Sequence, residues 1–496
     1  MRRKTQSPIL LLAILAIAGT QAWAAEEQRQ DSETEARLRE LEARQQQLEV
    51  EVRRRDARIE QLEYDAAHRG NKIPAQPRAS QISYDEPEQK TWGNYEPGKG
   101  FVLLRSDLGE VNFSIYSYVR YLDQNDLEDE YTDSFDRTFD VLILNQMQLQ
   151  KVNLTFKGWI FDPKFQYRFY TWTSNSNQGQ SAQVVVAGKL SYAFDEHFNL
   201  GAGIDALPTT RSTNGTFPTW FRTDHRTITD EFFRGSYTTG IFAWGDITEK
   251  SDYRIMLGNN LSQLGVSADE LDDHFETLSA AVWWMPTTGE YGPGNGFGDY
   301  EFHTEPATLF GLHYTHSRED AQGQPEVNSF DNSQIRLSDG TRIFSPDPFD
   351  VGINIRRATY QMAALNAGVK YRGYSLDVEY YYREVDSFSA VLLPDAEPDA
   401  MLPVTRLTDH GLQIQASTML VPKTLQMYLS GSKINGEYGD PWDMAFGLKY
   451  YPFKRREVRW TTQLLYLDDS PVGYNSVPFA LGGNGVVLNT EFELAF

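Results

Sequence analysis

The last eleven residues of the chain alternate between two kinds of side chain. Apolar and aromatic groups dominate one set, which runs from Val486 to Phe496, and the other set includes Asn489, Glu491 and Glu493. A period of two is the signature of a β-strand. A charged face opposite an aromatic face suits a wall with water on one side and lipid on the other. The last strand of a soluble β protein is the alternative.

The same alternation recurs after about residue 101, in segments 111–121, 151–160, 165–170, 376–383, 412–420 and 425–430. Their polar faces fit a water-filled lumen better than a packed core. Aromatic residues make up 13% of the chain, which is typical of barrels that carry aromatic girdles beside a lipid-facing band. The basic side chains expected to face the lumen are Lys151, Lys157, Arg168 and Arg383, with Asp377 and Glu379 on the same faces.

The connections between these segments are of two lengths. Residues 161–164, 372–373, 421–423 and 453–456 form tight turns, whereas 123–140, 291–306, 318–350 and 386–409 are long and polar. Short periplasmic turns and long extracellular loops are expected of an outer-membrane barrel, and about 400 residues at roughly 25 per strand and connection give about 16 strands. The predicted fold class is therefore all-β, a transmembrane antiparallel β-barrel over residues 101–496.

The first 24 residues have the three parts of a secretory signal peptide: a basic start, an apolar run at 9–18 and the small-x-small site Ala22-Trp23-Ala24. An uncleaved anchor helix is the alternative, but it needs about 20 apolar residues. We therefore expect the mature protein to begin at Ala25. With no cysteine in the chain, no disulfide holds the exported protein together.

Residues 25–69 are predicted to form a coiled coil, because they are highly charged and contain no glycine or proline. Leu38, Val52 and Ile59 recur at multiples of seven residues, and Leu41 and Leu62 belong to the interleaved set. A solvated single helix is the alternative. Residues 70–100 contain four prolines and several glycines and are predicted to be a linker.

Residues 205–234 differ from the other long connections, because charges of both signs are mixed with aromatic side chains such as Trp220 and Phe233. A loop that folds into a lumen would have this composition, and its facing charges would act on passing solutes. An ordinary surface loop with an ion-pair network is the alternative. The candidate constriction and solute-binding residues are Arg211, Arg222, Asp224, His225, Arg226, Asp230, Glu231 and Arg234.

No motif in the chain indicates a catalytic, metal or cofactor site. The glycine-rich stretch 292–298 lacks the Lys-Ser/Thr of a phosphate-binding loop, and the eight histidines have no metal-ligand spacing. The formal net charge of -23 argues against nucleic-acid partners. It does not decide ion selectivity, which depends on the charges that line a pore.

Several stretches resemble the phosphate-selective porin O and P family: 165–172 (FQYRFYTW), 198–211 (FNLGAGIDALPTTR), 227–235 (TITDEFFRG) and the C-terminal VVLNTEFELAF. The resemblance implies a sixteen-stranded trimeric porin whose third loop narrows the pore. Members that select phosphate line the lumen with an arginine ladder and a lysine cluster. Here the four arginines of 205–234 are balanced by four acidic residues, so a general or differently selective pore is an equal alternative.

The sequence therefore predicts an outer-membrane porin for passive diffusion of small hydrophilic solutes, with anions such as phosphate as one class. The expected partners are outer-membrane lipid, two further copies of the chain in a homotrimer, and the solutes themselves, with the coiled coil in the periplasm. The main alternative is a structural outer-membrane protein whose coiled coil tethers or organises the envelope. An outer-membrane enzyme and a soluble β-sandwich are less well supported, since no catalytic constellation appears and the alternate faces are charged.

Overall fold

The computed structural model describes residues 93–174, 183–213, 220–264, 266, 274–324, 334–394, 401–473 and 477–496. The predicted signal peptide, the coiled coil of residues 25–69 and most of the linker lie outside the described residues. No helix in the described ranges is long and apolar enough to cross a membrane.

The described residues form twenty strands and one short α-helix. The helix, α1, spans Ile228–Phe233, and two 3-10 helices span Arg211–Thr213 and Pro293–Asn295. The strands are β1 (Tyr95–Glu96), β2 (Gly100–Ser106), β3 (Gly109–Leu127), β4 (Glu130–Thr132), β5 (Thr138–Asp140), β6 (Asn145–Ile160), β7 (Asp162–Ser174), β8 (Gln183–Ala193), β9 (Asn199–Ala206), β10 (Tyr237–Thr248), β11 (Ser251–Gly258), β12 (Thr277–Trp284), β13 (Ala307–Asp320), β14 (Ile353–Tyr371), β15 (Tyr374–Leu392), β16 (Arg406–Val421), β17 (Leu425–Asn435), β18 (Trp442–Tyr450), β19 (Val458–Asp468) and β20 (Gly485–Ala495).

Sixteen of the strands close into one antiparallel barrel. β3 pairs with β6, and each strand from β6 onward pairs with the next one along the chain up to β20. β20 then pairs with β3, from Ala495 opposite Tyr116 to Gly485 opposite Leu127, which closes the wall. The predicted class and strand number are confirmed. The short strands β4 and β5 form a separate hairpin between β3 and β6.

The two ends of the barrel sequence meet along β3. β2 pairs with the first residues of β3, with Phe101 opposite Phe113, so it continues the line of β20. The backbones of Ile115 and Phe496 exchange two hydrogen bonds of 2.9 Å. The rings of Phe101 and Phe496 pack edge to face with centroids 5.1 Å apart, so the C-terminal aromatic residue secures this seam.

The alternation read in the sequence separates an apolar outer face from a polar inner face. On β19, Trp460 and Leu464 are about half exposed on the outside, whereas Thr461 and Gln463 are buried inside. Exposed large apolar side chains occur on the outer face of every one of the sixteen strands. Single exposed apolar residues are normal on soluble proteins, but a band this large calls for a lipid partner.

The connections differ in length at the two ends of the barrel. We call the end with residues 128–144, 207–236, 321–352 and 469–484 the long-loop end, and the end with 161, 249–250 and 372–373 the short-turn end. Residues 285–306, between β12 and β13, lie at the short-turn end, so the expectation that 291–306 is one of the extracellular-type loops is wrong. Composition identifies a long connection, but the end of the barrel at which the connection lies follows only from counting the strands that precede it.

Candidate functional site

The connection between β9 and β10, residues 207–236, folds into the barrel and is the third connection at the long-loop end. We call it the constriction loop. Its described residues are buried, apart from the half-buried Arg226. Leu207, Ile228 and Phe233 pack in one apolar cluster with inward residues of the opposite wall, including Tyr360 and Leu407. The loop therefore crosses the lumen and packs against the far wall.

Arg222 fastens the middle of the constriction loop to that wall. Its guanidinium reaches both carboxylate oxygens of Asp443 on β18, at 2.5 and 3.1 Å, and its Nε donates to Ser430 Oγ at 2.6 Å. The backbone N–H of Ile228 also donates to Asp443, at 3.1 Å. Both charged side chains are almost fully buried. Such a bidentate pair fixes geometry, and removing one partner leaves an uncompensated buried charge.

Arg211 fastens the start of the loop to β15. Its backbone N–H donates to Glu379 at 2.9 Å, and its guanidinium forms a buried ion pair with Asp377. Arg383, also on β15, makes a buried ion pair with Asp409 at 2.6 Å. Its guanidinium lies 4.0 Å from the ring centroid of Phe232, which is a cation–π contact with the loop.

Helix α1 forms the last part of the constriction loop. Thr227 caps its first turn, because its hydroxyl oxygen accepts a hydrogen bond from the N–H of Asp230 at 3.1 Å. The Phe233 ring stacks on Tyr381 with centroids 5.2 Å apart. A Cβ at Gly411 of β16 would lie 2.4 Å from that Phe233 ring, so only glycine lets the helix approach this wall.

A cavity of about 190 Å³ remains between the constriction loop and the wall formed by β6–β11. One water molecule needs only about 10–15 Å³ by the same measure, so the cavity admits a small solute. The wall side is lined by Lys151, Asn153, Arg168, Tyr170, Trp172, Lys189, Asp205, Tyr237 and Arg254, and the loop side by Ser212, Trp220, Asp224, His225, Arg226, Glu231, Arg234 and Ser236.

The charged groups around this cavity are mostly basic. Six lysine or arginine side chains and three carboxylates line it, an excess of three positive charges in a chain whose formal net charge is -23. The carboxylate of Asp205 forms ion pairs with both Lys189 and Arg254, each with a nitrogen–oxygen distance of 2.5 Å. In the loop, Glu231 is shared by Arg226 at 3.2 Å and Arg234 at 2.6 Å. One carboxylate thus orients two cations without neutralising both.

Arg168 and Lys157 add positive charge to the lumen wall. The two residues face each other across β6 and β7, and no carboxylate in the described ranges forms an ion pair with either. Arg168 is exposed to the lumen, and the Nζ of Lys157 donates to the carbonyl of Gly98 at 2.5 Å. This part of the lumen therefore has a positive wall open to water.

The residues predicted from sequence fall into two groups. Asp224, His225, Arg226, Glu231 and Arg234 line the cavity together with Lys151 and Arg168, and Lys151 pairs with Asp224. His225 is held in place by Gln463, with its Nε2 2.6 Å from the amide nitrogen. Arg211, Arg222, Asp230 and Arg383 are instead buried between the loop and the far wall, and Lys157 lies in the wall without lining the cavity.

Sequence reasoning missed Lys189 and Arg254, although both line the cavity. They lie on β8 and β11, where the alternation is weak because apolar residues such as Val185 and Met256 occupy inward positions. A single basic residue on a face that also carries an apolar residue, such as Val185 or Met256, is the signal that could have identified them.

No protein-family model and no curated protein matches the sequence. Several solved structures are similar to it. The outer-membrane protein OmpT of Vibrio cholerae is 10% identical, covering 80% of this chain and 100% of its own, with a TM-score of 0.46. An anion-selective porin from Comamonas acidovorans is 10% identical, covering 78% of this chain and 100% of its own, with a TM-score of 0.45. The outer membrane channel DcaP of Acinetobacter baumannii is 9% identical, covering 79% of this chain and 99% of its own, also with a TM-score of 0.45.

Proposed function

We propose that this chain is an outer-membrane porin through which small hydrophilic solutes diffuse passively, with a preference for anions. The observation that carries the proposal is the positively lined cavity between the constriction loop and the β6–β11 wall. Its lining combines an excess of cationic side chains with hydroxyl and amide groups, such as Ser212 and Asn153, that replace part of a solute's hydration shell.

The anion preference rests on the position of the charges. Charges in a narrow opening with walls of low dielectric constant act strongly on a passing ion, whereas charges elsewhere on the protein are screened within about 8–10 Å. The excess negative charge of the whole chain therefore does not oppose the local positive field. Phosphate is one solute of this class, as are other small anions with hydrogen-bond acceptors.

The cellular setting follows from the same reasoning. An apolar outer band suits the outer membrane, the short-turn end would face the periplasm, and the coiled coil of residues 25–69 would lie there. A homotrimer is the assembly we propose, because three coiled-coil helices side by side would bury their apolar seams. No enzymatic role is proposed. The second candidate, an envelope tether, rests only on the coiled-coil pattern.

Conductance in planar bilayers tests the proposal. Single-channel steps of the purified protein are recorded in KCl, reversal potentials are measured across a KCl gradient, and phosphate is then titrated. Steps in triplets with an anion-selective reversal potential are expected, and block by phosphate would narrow the solute class. A weakly selective or cation-selective potential would contradict the anion preference and leave a general porin. No conductance from correctly folded protein would remove the porin proposal and favour the tether.

A further inference from the structure

The connection of residues 285–306 is unusual for its place in the barrel. It has 22 residues, whereas the other connections at the short-turn end have at most seven. Most of its central residues are buried, including Tyr291, Phe297 and Asp299. A turn that only joined two strands would be exposed to solvent, so this segment has a place inside the barrel.

The segment lies against the inner wall formed by β14–β17. Lys370 of β14 donates to the carbonyl oxygens of Tyr291 and Gly296, at 2.7 and 2.6 Å. Gly298 has a φ of +75°, and a Cβ there would lie 2.4 Å from the side-chain amide of Gln426 on β17. Glycine at this position thus allows the segment to touch the wall directly.

The segment is also fastened at the rim of the barrel. The imidazole of His303 lies between two carboxylates, with its Nε2 2.9 Å from Glu290 and its Nδ1 paired with Asp299. Asp299 accepts a further hydrogen bond from the N–H of Gly373 in the β14–β15 turn, at 2.7 Å. Arg456 of the β18–β19 turn pairs with Glu301 at 2.6 Å.

Arg211 joins this segment to the constriction loop. Its guanidinium pairs with Asp377 of the wall and donates to the carbonyl oxygen of Asn295 at 3.1 Å. The same group lies 4.2 Å from the centroid of the Phe297 ring. Tyr291 donates to the same Asp377, at 2.8 Å. One buried cation therefore holds together a loop from one end of the barrel, a segment from the other end and the wall between them.

We propose that residues 285–306 are a built-in plug that closes the β14–β17 side of the lumen from the short-turn end, with Arg211 as the positioning residue that locks the plug to the constriction loop. Solutes then pass only along the β6–β11 wall. Inward residues behind the plug, such as Ser417 and Asp377, are buried, whereas Arg168 on the other side is exposed and Ser191 is half-buried. This inference goes beyond the porin function, since it concerns which part of the lumen holds water.

Cysteine accessibility tests the plug, because the chain has no cysteine of its own. Ser417→Cys probes the wall behind the plug, and the matched control Ser191→Cys probes the open wall. Each folded variant is treated with the anionic reagent sulfonatoethyl methanethiosulfonate, and labelling is followed by mass spectrometry. We expect Ser191→Cys to react at least tenfold faster than Ser417→Cys. Equal rates would overturn the proposal.

The plug is then removed in the Ser417→Cys background, by replacing residues 291–302 with a short Gly-Ser linker. Labelling of Ser417→Cys should accelerate at least tenfold, and an unchanged rate would overturn the proposal. A second variant, Arg211→Gln with Ser417→Cys, tests the lock without altering the length of the chain. This variant should accelerate labelling by a smaller factor than removal of the plug does. An unchanged labelling rate would show that Arg211 does not lock the plug. Because labelling needs no ion current, a failure of the porin function is distinguishable from a failure of the plug.

Discussion

Individual carboxylates beside the cavity each orient more than one cation. Asp205 holds Lys189 and Arg254, and Glu231 holds two arginines of the constriction loop. Sharing keeps long basic side chains in fixed positions while a net positive charge remains for a solute. Arg168 does not belong to these groups, since it forms no ion pair with a carboxylate in the described ranges, and its side chain is exposed to the lumen.

Replacing Arg168 with glutamine should therefore lower the anion preference without disturbing the fold. A unit charge roughly 8 Å from a passing ion contributes about 0.5 kcal/mol in water, with opposite signs for anions and cations, so the anion-to-cation permeability ratio should fall about fivefold. Reversal potentials in a KCl gradient measure this ratio. Arg406→Gln, at an exposed arginine on the long-loop end of β16, is the matched control and should leave the ratio unchanged. An unchanged ratio in Arg168→Gln would contradict the assignment.

His303 should make the stability of the plug depend on pH. Burial lowers the pKa of His303, but hydrogen bonds to Asp299 and Glu290 outweigh this effect and raise the pKa to about 9. The unfolded pKa is about 6.5, so the stabilisation is complete below about pH 6.5 and is lost as pH rises through about 9. Between about pH 7 and about pH 10, the thermal unfolding midpoint should fall more in the parent protein than in His303→Gln. The exposed His274→Gln should behave like the parent, and parallel profiles for all three proteins would refute the effect.

At the scale of elements, the constriction loop is positioned by polar contacts at buried sites and by aromatic packing. Arg211 and Arg222 pair with carboxylates on β15 and β18, while Phe233 stacks on Tyr381. Such contacts hold a loop in one arrangement more strictly than apolar packing does, because their directions are fixed. A loop held in this way keeps the opening beside it constant in width.

Removing Arg222 should loosen the loop. Arg222→Met leaves Asp443 buried without its partner, which costs about 3–5 kcal/mol. We expect a lower thermal unfolding midpoint and larger current fluctuations in single-channel records. Adding Asp443→Asn removes the stranded charge and should recover most of the loss. If the double variant has the same unfolding midpoint and current fluctuations as the single variant, the ion pair is not what holds the loop.

The candidate site was only partly predictable at this scale. The mixture of charges and aromatic rings identified the loop, because composition is local. The partners were not predictable, since Asp377 lies 166 residues from Arg211 and Asp443 lies 221 residues from Arg222. Without those partners, an arginine that faces a solute cannot be told from one that anchors a loop. The plug was missed for a related reason, because its composition is that of any long polar connection.

At the scale of the whole molecule, the alternation of residues was sufficient to predict the fold class. Successive side chains of a wall strand point alternately outward and inward. Even the last strand, β20, therefore has an apolar outer face and a charged inner face. The count of about 16 strands followed from chain length alone and is confirmed by the closed sheet. Strands β8 to β14, β18 and β19 were not identified one by one. In β8 to β12, glycine and apolar residues on both faces hide the period of two.

A charge on the outer band should prevent stable insertion of the barrel. Leu464 lies in the middle of β19 and is 51% exposed on the outer face. Arg at such a depth costs about 2–4 kcal/mol in a lipid-facing wall. Leu464→Arg should therefore shift the urea midpoint of the vesicle-folded protein to lower concentration, whereas Leu464→Val should change it little. Equal midpoints would mean that this face does not meet lipid.

The pairing of β20 with β3 also sets the timing of biogenesis. Of the sixteen strands in the wall, the last along the chain is a neighbour of the first, so a partly assembled sheet keeps two open edges until β20 has joined it. Exposed edges recruit other strands, which makes a half-finished sheet prone to aggregation. We therefore expect the chain to stay unfolded until it reaches its membrane, where pairing of β20 with β3 closes the wall late in folding.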